Sequence, residues 1–313
     1  MSAKPQAIPN ATENFGYDSF FQDGYLHLNS LLSSALCDQL KHAFENEVKQ
    51  EKQPLLRQRS VTFETHQYTS QHYMENALLD VHNSKLYPFQ YFPKSALKIL
   101  SDIKFLDIIA YALNDNPVLV QSMFFESSKG TPEHFDKFFL GTEEQLPMLG
   151  VWIALEDIHE DSGQFYVYPG SHDYQFKAHE NTDSLKVLYE RYSHYNAIAV
   201  SGHQNTSKQM QLNAVLECKR TLKKLIKSAG WNRYTPAMRK GDILLFSGDI
   251  LHVSLPPAPI HSSRTSLTAH FIGGKQKNIR YGQIQEKVHS MNIDNLKVHQ
   301  SKRYLYSDLS FVN

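Results

Sequence analysis

The stretch Thr131-Pro132-Glu133-His134-Phe135-Asp136-Lys137 decides how the rest of this 313-residue chain is interpreted. In an extended segment, side chains alternate between faces, so His134 and Asp136 point one way and Phe135 the other. An imidazole and a carboxylate on one face can hold a metal ion if a neighbouring strand supplies another ligand. His-x-Asp alone is weak evidence for a metal site, because chance pairs are common in a chain with 16 His and 32 acidic residues. The interpretation therefore depends on finding a third ligand.

The best third ligand is His252, which follows the strand-turn-strand unit 241–249 and would lie deep inside a barrel. With His134 and Asp136 it would complete the two-His-one-carboxylate face that binds non-haem Fe(II) and leaves positions open for a co-substrate and O₂. The rival histidines are His159, His172, His261 and His270. The first three lie in turn-like or Pro/Ser-rich sequence. We interpret His270, on the last strong strand, as a buried core histidine, with a ligand role as the alternative.

Arg264 lies twelve residues after His252, and Ser266 shares its strand face because the two are two positions apart. A guanidinium pairs with a carboxylate through two hydrogen bonds, and a neighbouring hydroxyl can donate a further one. This pair suits the distal carboxylate of 2-oxoglutarate. Taken alone, Arg-x-Ser could be an arginine that closes a surface strand. Because this pair follows His252, we favour the carboxylate-binding role.

The periodicity predicts a mainly β fold with flanking helices. Short strand-like segments separated by turn residues are typical of a sandwich or barrel; they occupy 118–125, 148–155, 164–168, 240–246, 250–254 and 264–272. Helical patterns precede them at 36–48 and 94–113, the second with a break at Ser101-Asp102. We expect residues 1–14 to form a flexible tail and 15–313 a single domain, with an insert or lid at about 175–236 that contains a basic helix.

Composition excludes several classes of partner. Lys plus Arg (32) equals Asp plus Glu (32), so no overall field attracts nucleic acid or an anionic membrane. No apolar run reaches the length of a membrane span, and residues 1–14 lack the apolar run of a signal peptide. Cys37 and Cys218 are the only cysteines and suit reduced thiols. We expect a cytoplasmic monomer or homodimer with a small-molecule substrate.

A series of motifs in the chain resembles those of the phytanoyl-CoA dioxygenase family over roughly residues 17 to 273. The motifs are 20–26 (FFQDGYL), 134–136 (HFD), 151–157 (VWIALED), 163–172 (GQFYVYPGSH), 241–246 (GDILLF) and 252–254 (HVS). Their shared order is more specific than any one of them. The resemblance implies an Fe(II)- and 2-oxoglutarate-dependent oxygenase on a double-stranded β-helix, that is, a jelly-roll, cupin-like core with N-terminal helices and a helical lid insert.

Carried over by position, the resemblance implies a set of site residues. It implies iron on His134, Asp136 and His252. It implies 2-oxoglutarate on Arg264 with Ser266, with Gln121 facing the active site and Trp152 walling the co-substrate pocket or serving as a core residue. The chain departs from the family at Ser162, where members often have Asn, and residues 175–236 match nothing specific. Lys137 and Arg233 are further candidates for contacts to an anionic group, with a surface role as the alternative.

The implied reaction is hydroxylation of an unactivated C–H bond in a small metabolite or natural-product intermediate, with release of succinate and CO₂. Asp136 favours hydroxylation, since related halogenases have a small residue there; desaturation or ring closure after the same hydrogen abstraction are the alternatives. One alternative is an acyl-CoA hydroxylase of the phytanoyl-CoA type, with the basic run Lys219 to Lys227 meeting the CoA phosphates. Others are a protein hydroxylase or demethylase, for which no groove or targeting module is visible, and a non-catalytic β-barrel binding protein.

Overall fold

A computed structural model of the chain describes residues 16–52, 56–59, 62–141, 147–173, 208–258, 263–281 and 284–301. The predicted tail at 1–14 lies outside these residues, as do residues 175–207 of the predicted insert. None of the helices within the described ranges has the length and apolar character needed to cross a membrane.

The helices predicted at 36–48 and 94–113 are confirmed, and a short helix that was not predicted precedes them. The helices are α1 (Tyr17–Asp23), α2 (Ser34–Ala43, continued by a π-helix at Phe44–Val48), α3 (Phe92–Leu100) and α4 (Ile103–Leu113). The Ser33 hydroxyl accepts a hydrogen bond from the Leu36 backbone N–H at the start of α2. The predicted break between the last two helices is confirmed, because the Asp102 carboxylate caps α4 by accepting from the Phe105 N–H at 3.1 Å.

Half of the described strands belong to one large, mainly antiparallel sheet. Its strands are β1 (Tyr25–Leu28), β4 (Leu78–Leu79), β5 (Pro117–Phe125), β8 (Met148–Ala154), β10 (Ile243–Ser247), β12 (Ser266–Gly273), β15 (Ser290–Ile293) and β16 (Leu296–His299). They are arranged in the order β1-β10-β8-β12-β5-β16-β15, with β4 also pairing with β5. A hairpin of β2 (Leu56–Arg59) and β3 (Thr62–Thr65) forms a separate two-stranded sheet.

The two faces of the large sheet have different roles. On β12, the apolar side chains Leu267, Ala269 and Phe271 are buried in the same cluster as the helices. Ser266, Thr268 and His270 alternate with them, so they point to the opposite, inner face. The helices therefore cover one face, and the other is left to build the interior of the β fold.

A second sheet faces this inner surface and completes the jelly roll. It contains β6 (Thr131–His134), β9 (Phe165–Val167) and β11 (His252–Ser254), in the order β6-β11-β9. Phe165 bridges the two sheets, with its ring stacked on Trp152 at a centroid distance of 5.9 Å and 5.4 Å from Phe246. The predicted double-stranded β-helix class is confirmed, although these sheets do not close into a barrel.

A third sheet extends the fold beyond the predicted strands. It contains β7 (Leu140–Gly141), β13 (Asn278–Tyr281) and β14 (Ile284–Lys287). Strand β13 is central and pairs antiparallel with β14 on one side and β7 on the other. The Tyr281 hydroxyl donates to the Val120 carbonyl oxygen at 2.9 Å, so β13 is also joined to β5 of the large sheet.

The basic helix of the insert, which the sequence pattern predicts at 214–229, is longer than predicted and packs on the outside of the second sheet. Helix α5 spans Lys208–Ala229, and its Leu222 is buried with Phe135, Tyr166 and Val253. Because Val253 alternates with the two residues that flank it on β11, α5 lies on the side of this sheet opposite to His252. The predicted lid function of the insert stays a prediction.

The strands described after residue 273 were not expected from the sequence. Strand β15 is exposed along most of its length, so it lacks the alternation that identifies a half-buried strand. Strand β16 pairs in parallel with β5, far away in the sequence. Strand β16 therefore depends on a tertiary partner, β5, and not only on a local pattern.

Candidate active site

Three predicted ligands converge between the large and second sheets. One ligand atom from each of His134, Asp136 and His252 lies within 4.8 Å of the others. His134 and His252 are direct register partners on β6 and β11, while Asp136 begins a 3-10 turn directly after β6. Asp136 Oδ1 lies 3.8 Å from His134 Nε2 and 3.3 Å from His252 Nε2. Phe135 is buried on the other side of the sheet, as the alternation predicts.

Both imidazoles are oriented by backbone carbonyls. His134 Nδ1 lies 2.7 Å from the Pro132 carbonyl oxygen, and His252 Nδ1 lies 3.1 Å from that of Ile250. A carbonyl oxygen can only accept, so each Nδ1 carries the hydrogen and donates. The Nε2 lone pairs are thereby left free to bind a metal, which is the usual arrangement of metal-binding histidines.

The protonation states also suit a metal. Burial and the neighbouring His252 lower the pKa of His134 to about 4, so its ring is neutral near pH 7. Burial would raise the pKa of Asp136, but His252 and His270 outweigh it and hold the pKa well below its usual value. A neutral imidazole and an ionised carboxylate are the forms that coordinate metals. The residues present therefore fit a divalent ion.

His270 contacts this centre without belonging to it. Its Nε2 lies 3.0 Å from Asp136 Oδ2, whereas the other two histidines lie close to Oδ1. The interpretation of His270 as a buried histidine agrees with its 6% exposure, yet the sequence did not indicate that its partner is Asp136.

Arg264 is a buried cation beside the centre. Its guanidinium donates to the Gly163 carbonyl oxygen at 2.8 Å and to the Ser254 hydroxyl, and its Nε has no hydrogen-bond partner among the described residues. Within the same residues it forms no ion pair with a carboxylate. Burial lowers its pKa to about 10, so it remains charged at neutral pH. A buried charge without a counter-ion is costly, and an anionic ligand would satisfy it.

The other predicted co-substrate residues line the same interior. Trp152 is buried, with its ring 5.8 Å from the Arg264 guanidinium carbon. Ser266 is buried and its hydroxyl has no partner within the described part of the chain. Gln121 pairs in register with His270, so both side chains leave the sheet on the same, inner face. Their contact with 2-oxoglutarate stays a prediction.

Ser254 is the contact that the sequence analysis missed. It lies two residues after His252, so both side chains share a strand face, and this spacing was the available signal. The sequence predicted that Ser266 joins Arg264 in binding the co-substrate carboxylate, which stays a prediction; in the structure the guanidinium itself contacts the Ser254 hydroxyl.

The weaker candidates among the described residues contact other residues of the chain. Lys137 Nζ pairs with Asp249 at 2.5 Å, and the exposed Arg233 lies over the Tyr166 ring at 5.5 Å. The rival ligand His159 caps a turn by accepting from the Asp161 N–H. His172 contacts the Phe21 carbonyl oxygen instead of the centre. His261 lies outside the described residues.

The chain matches the family model described as Phytanoyl-CoA dioxygenase (PhyH) over residues 20–258. A zebrafish (Danio rerio) relative, Phytanoyl-CoA dioxygenase domain-containing protein 1, is 41% identical over 63 residues. That match spans 18% of this chain and only 21% of the relative's length.

Several solved structures share the fold at low sequence identity. EctD from S. alaskensis with 2-oxoglutarate and 5-hydroxyectoine has a TM-score of 0.57 at 15% identity, covering 87% of this chain and 80% of that one. The epimerase SnoN in complex with Fe3+, alpha ketoglutarate and nogalamycin RO has a TM-score of 0.55 at 14% identity, covering 93% and 99%. The carbocyclase SnoK from nogalamycin biosynthesis has a TM-score of 0.55 at 15% identity, covering 89% of each chain.

Proposed function

The chain belongs to the phytanoyl-CoA dioxygenase family, and from this premise we propose that it is an Fe(II)- and 2-oxoglutarate-dependent oxygenase. The proposed reaction is hydroxylation of an unactivated C–H bond in a small metabolite or natural-product intermediate. The observation that carries the proposal is the buried Arg264 without a carboxylate partner in the described chain, beside the cluster of His134, Asp136 and His252. The cluster suits a metal and the guanidinium suits an anion, as this reaction class requires.

Each residue has a defined part in the proposal. His134, His252 and Asp136 would hold the metal, and Arg264 with Ser266 would bind the distal carboxylate of 2-oxoglutarate, with Ser254 in contact with the guanidinium. When bound, iron and 2-oxoglutarate supply O₂-dependent oxidation of the C–H bond, with succinate and CO₂ as co-products. The buried rings of Trp152, Phe165 and Phe246 exclude water from the interior.

A small substrate is supported by the interior of the fold. Gln121, Met123 and Phe125 of β5 share the inner face and are partly exposed, so they offer one amide and two apolar surfaces to a ligand. The solved structures of similar fold with nogalamycin RO or 5-hydroxyectoine support a small-molecule substrate. The basic residues of α5, by contrast, are exposed on a helix packed outside the second sheet; they are Lys219, Arg220, Lys223, Lys224 and Lys227.

The test is succinate formation by the full chain reconstituted anaerobically with Fe(II) and then exposed to O₂. Amino acids, polar natural-product precursors and acyl-CoAs are screened for stimulation of this signal, with Asp136→Ala as the inactive control. We expect stimulation by a small non-CoA compound that gains one oxygen. Stimulation by acyl-CoAs alone would favour the phytanoyl-CoA type of reaction. Iron binding without any succinate would instead indicate a non-catalytic binding protein.

A further inference from the structure

We propose that His270, assisted by Gly150, is a positioning residue that restricts Asp136 to one metal-binding oxygen. This inference rests on the proposed metal site and adds to it the coordination mode of the carboxylate. It assigns different tasks to the two oxygens: Oδ1 would bind the metal, and Oδ2 is held by the protein.

The distances divide the carboxylate in this way. Oδ1 of Asp136 faces the Nε2 atoms of His252 and His134, at 3.3 and 3.8 Å. Oδ2 faces the Nε2 of His270 at 3.0 Å. The proposed metal ligands therefore surround one oxygen, while a side chain from the large sheet binds the other.

The contact with Asp136 fixes the tautomer of His270. An ionised carboxylate can only accept, so Nε2 carries the hydrogen and donates it. The other ring nitrogen, Nδ1, is buried and has no hydrogen-bond partner among the described residues. The hydrogen bond to Asp136 is therefore the polar interaction that orients this ring, as the outer partners of metal ligands commonly do.

Gly150 provides the space in which Oδ2 lies. It pairs in register with His270 on the adjacent strand, so both positions open onto the same inner face. A Cβ atom at Gly150 would lie 3.0 Å from Asp136 Oδ2 and 2.3 Å from the Phe246 ring. The lack of a side chain at Gly150 thus leaves a space beside the His270 imidazole, and Oδ2 occupies this space.

The consequence concerns the number of open coordination positions. A carboxylate that binds through both oxygens would occupy one more position on the metal. The two-His-one-carboxylate site works by leaving positions open for its co-substrate and O₂. By holding Oδ2, His270 and Gly150 keep such a position available.

The experiment compares His270→Leu, which removes the donor, with His270→Gln, which retains one at similar reach. Co(II) serves as the probe in the full chain, and three quantities are measured: its dissociation constant, its visible absorption intensity and the melting temperature of the metal-free protein. The matched control is His299→Leu, because His299 is also buried and also pairs with a carboxylate, Glu286, at 3.2 Å.

We expect His270→Leu to weaken Co(II) binding about 10- to 100-fold. Its visible absorption should fall in intensity, because a carboxylate free to bind through both oxygens raises the coordination number. His270→Gln should restore the Co(II) affinity and the absorption intensity towards wild type, and His299→Leu should alter neither of these two quantities. Wild-type affinity and spectrum in His270→Leu would overturn the inference. Wild-type Co(II) affinity in Asp136→Ala would instead contradict the proposed metal site itself, so the two failures are distinguishable.

Discussion

His134 and His252 face each other as register partners on adjacent antiparallel strands, with ring centroids 4.2 Å apart. The pairing of β6 with β11 therefore sets the separation of the two imidazoles. A metal bound between them would in turn link the two strands, so metal binding and stability are coupled.

The first prediction follows from this coupling. Co(II) at 100 times its dissociation constant should raise the free energy of unfolding of the wild type by about 2.7 kcal/mol. His252→Ala should lose this stabilisation because it removes one ligand, whereas His172→Ala, at a rejected candidate, should keep it. Denaturant unfolding with and without Co(II) measures the effect. An undiminished shift in His252→Ala would exclude His252 as a ligand.

The second prediction concerns Arg264. Arg264→Lys should raise the KM for 2-oxoglutarate about tenfold or more, since an ammonium cannot reproduce the planar guanidinium fork. Ser254→Ala should have a smaller effect in the same direction. Arg239→Lys, at an exposed position, is the control. Steady-state succinate formation measures KM, and an unchanged value in Arg264→Lys would remove this residue from the co-substrate site.

The third prediction concerns pH. The pKa of His134 is about 4 in the folded protein and near 6.5 when unfolded, so between these values the unfolded chain binds more protons. Stability of the metal-free protein should therefore fall as the pH drops from 7 to 5, by about 2 kcal/mol from this residue. His134→Gln should show a correspondingly smaller fall. Equal pH dependence of unfolding in both proteins would contradict the lowered pKa.

The fourth prediction separates packing from catalysis at α5. Leu222→Ala should lower the free energy of unfolding by about 2–5 kcal/mol, because Leu222 is buried against the outer face of the second sheet. The KM for 2-oxoglutarate should stay at the wild-type value, since this face is opposite to the ligands. Lys223→Ala, at an exposed neighbour on the same helix, should change neither quantity. A raised KM in Leu222→Ala with normal stability would indicate direct contact with the active site.

The sequence by itself determined the features that depend on local periodicity. The alternation in His134-Phe135-Asp136 assigned two side chains to the interior and one to the opposite face, because strand periodicity is a property of three consecutive residues. The helix break at Asp102 was readable for the same reason, since a cap acts within one turn.

Only the tertiary structure decided which distant residues meet. His270 reaches Asp136 across 134 positions, and Arg264 reaches the Gly163 carbonyl across 101. A local pattern gives the face on which a side chain lies, but the order of strands in a sheet selects its neighbour. The face-to-face packing of the two sheets therefore determines that one oxygen of Asp136 faces the metal ligands and the other faces the protein.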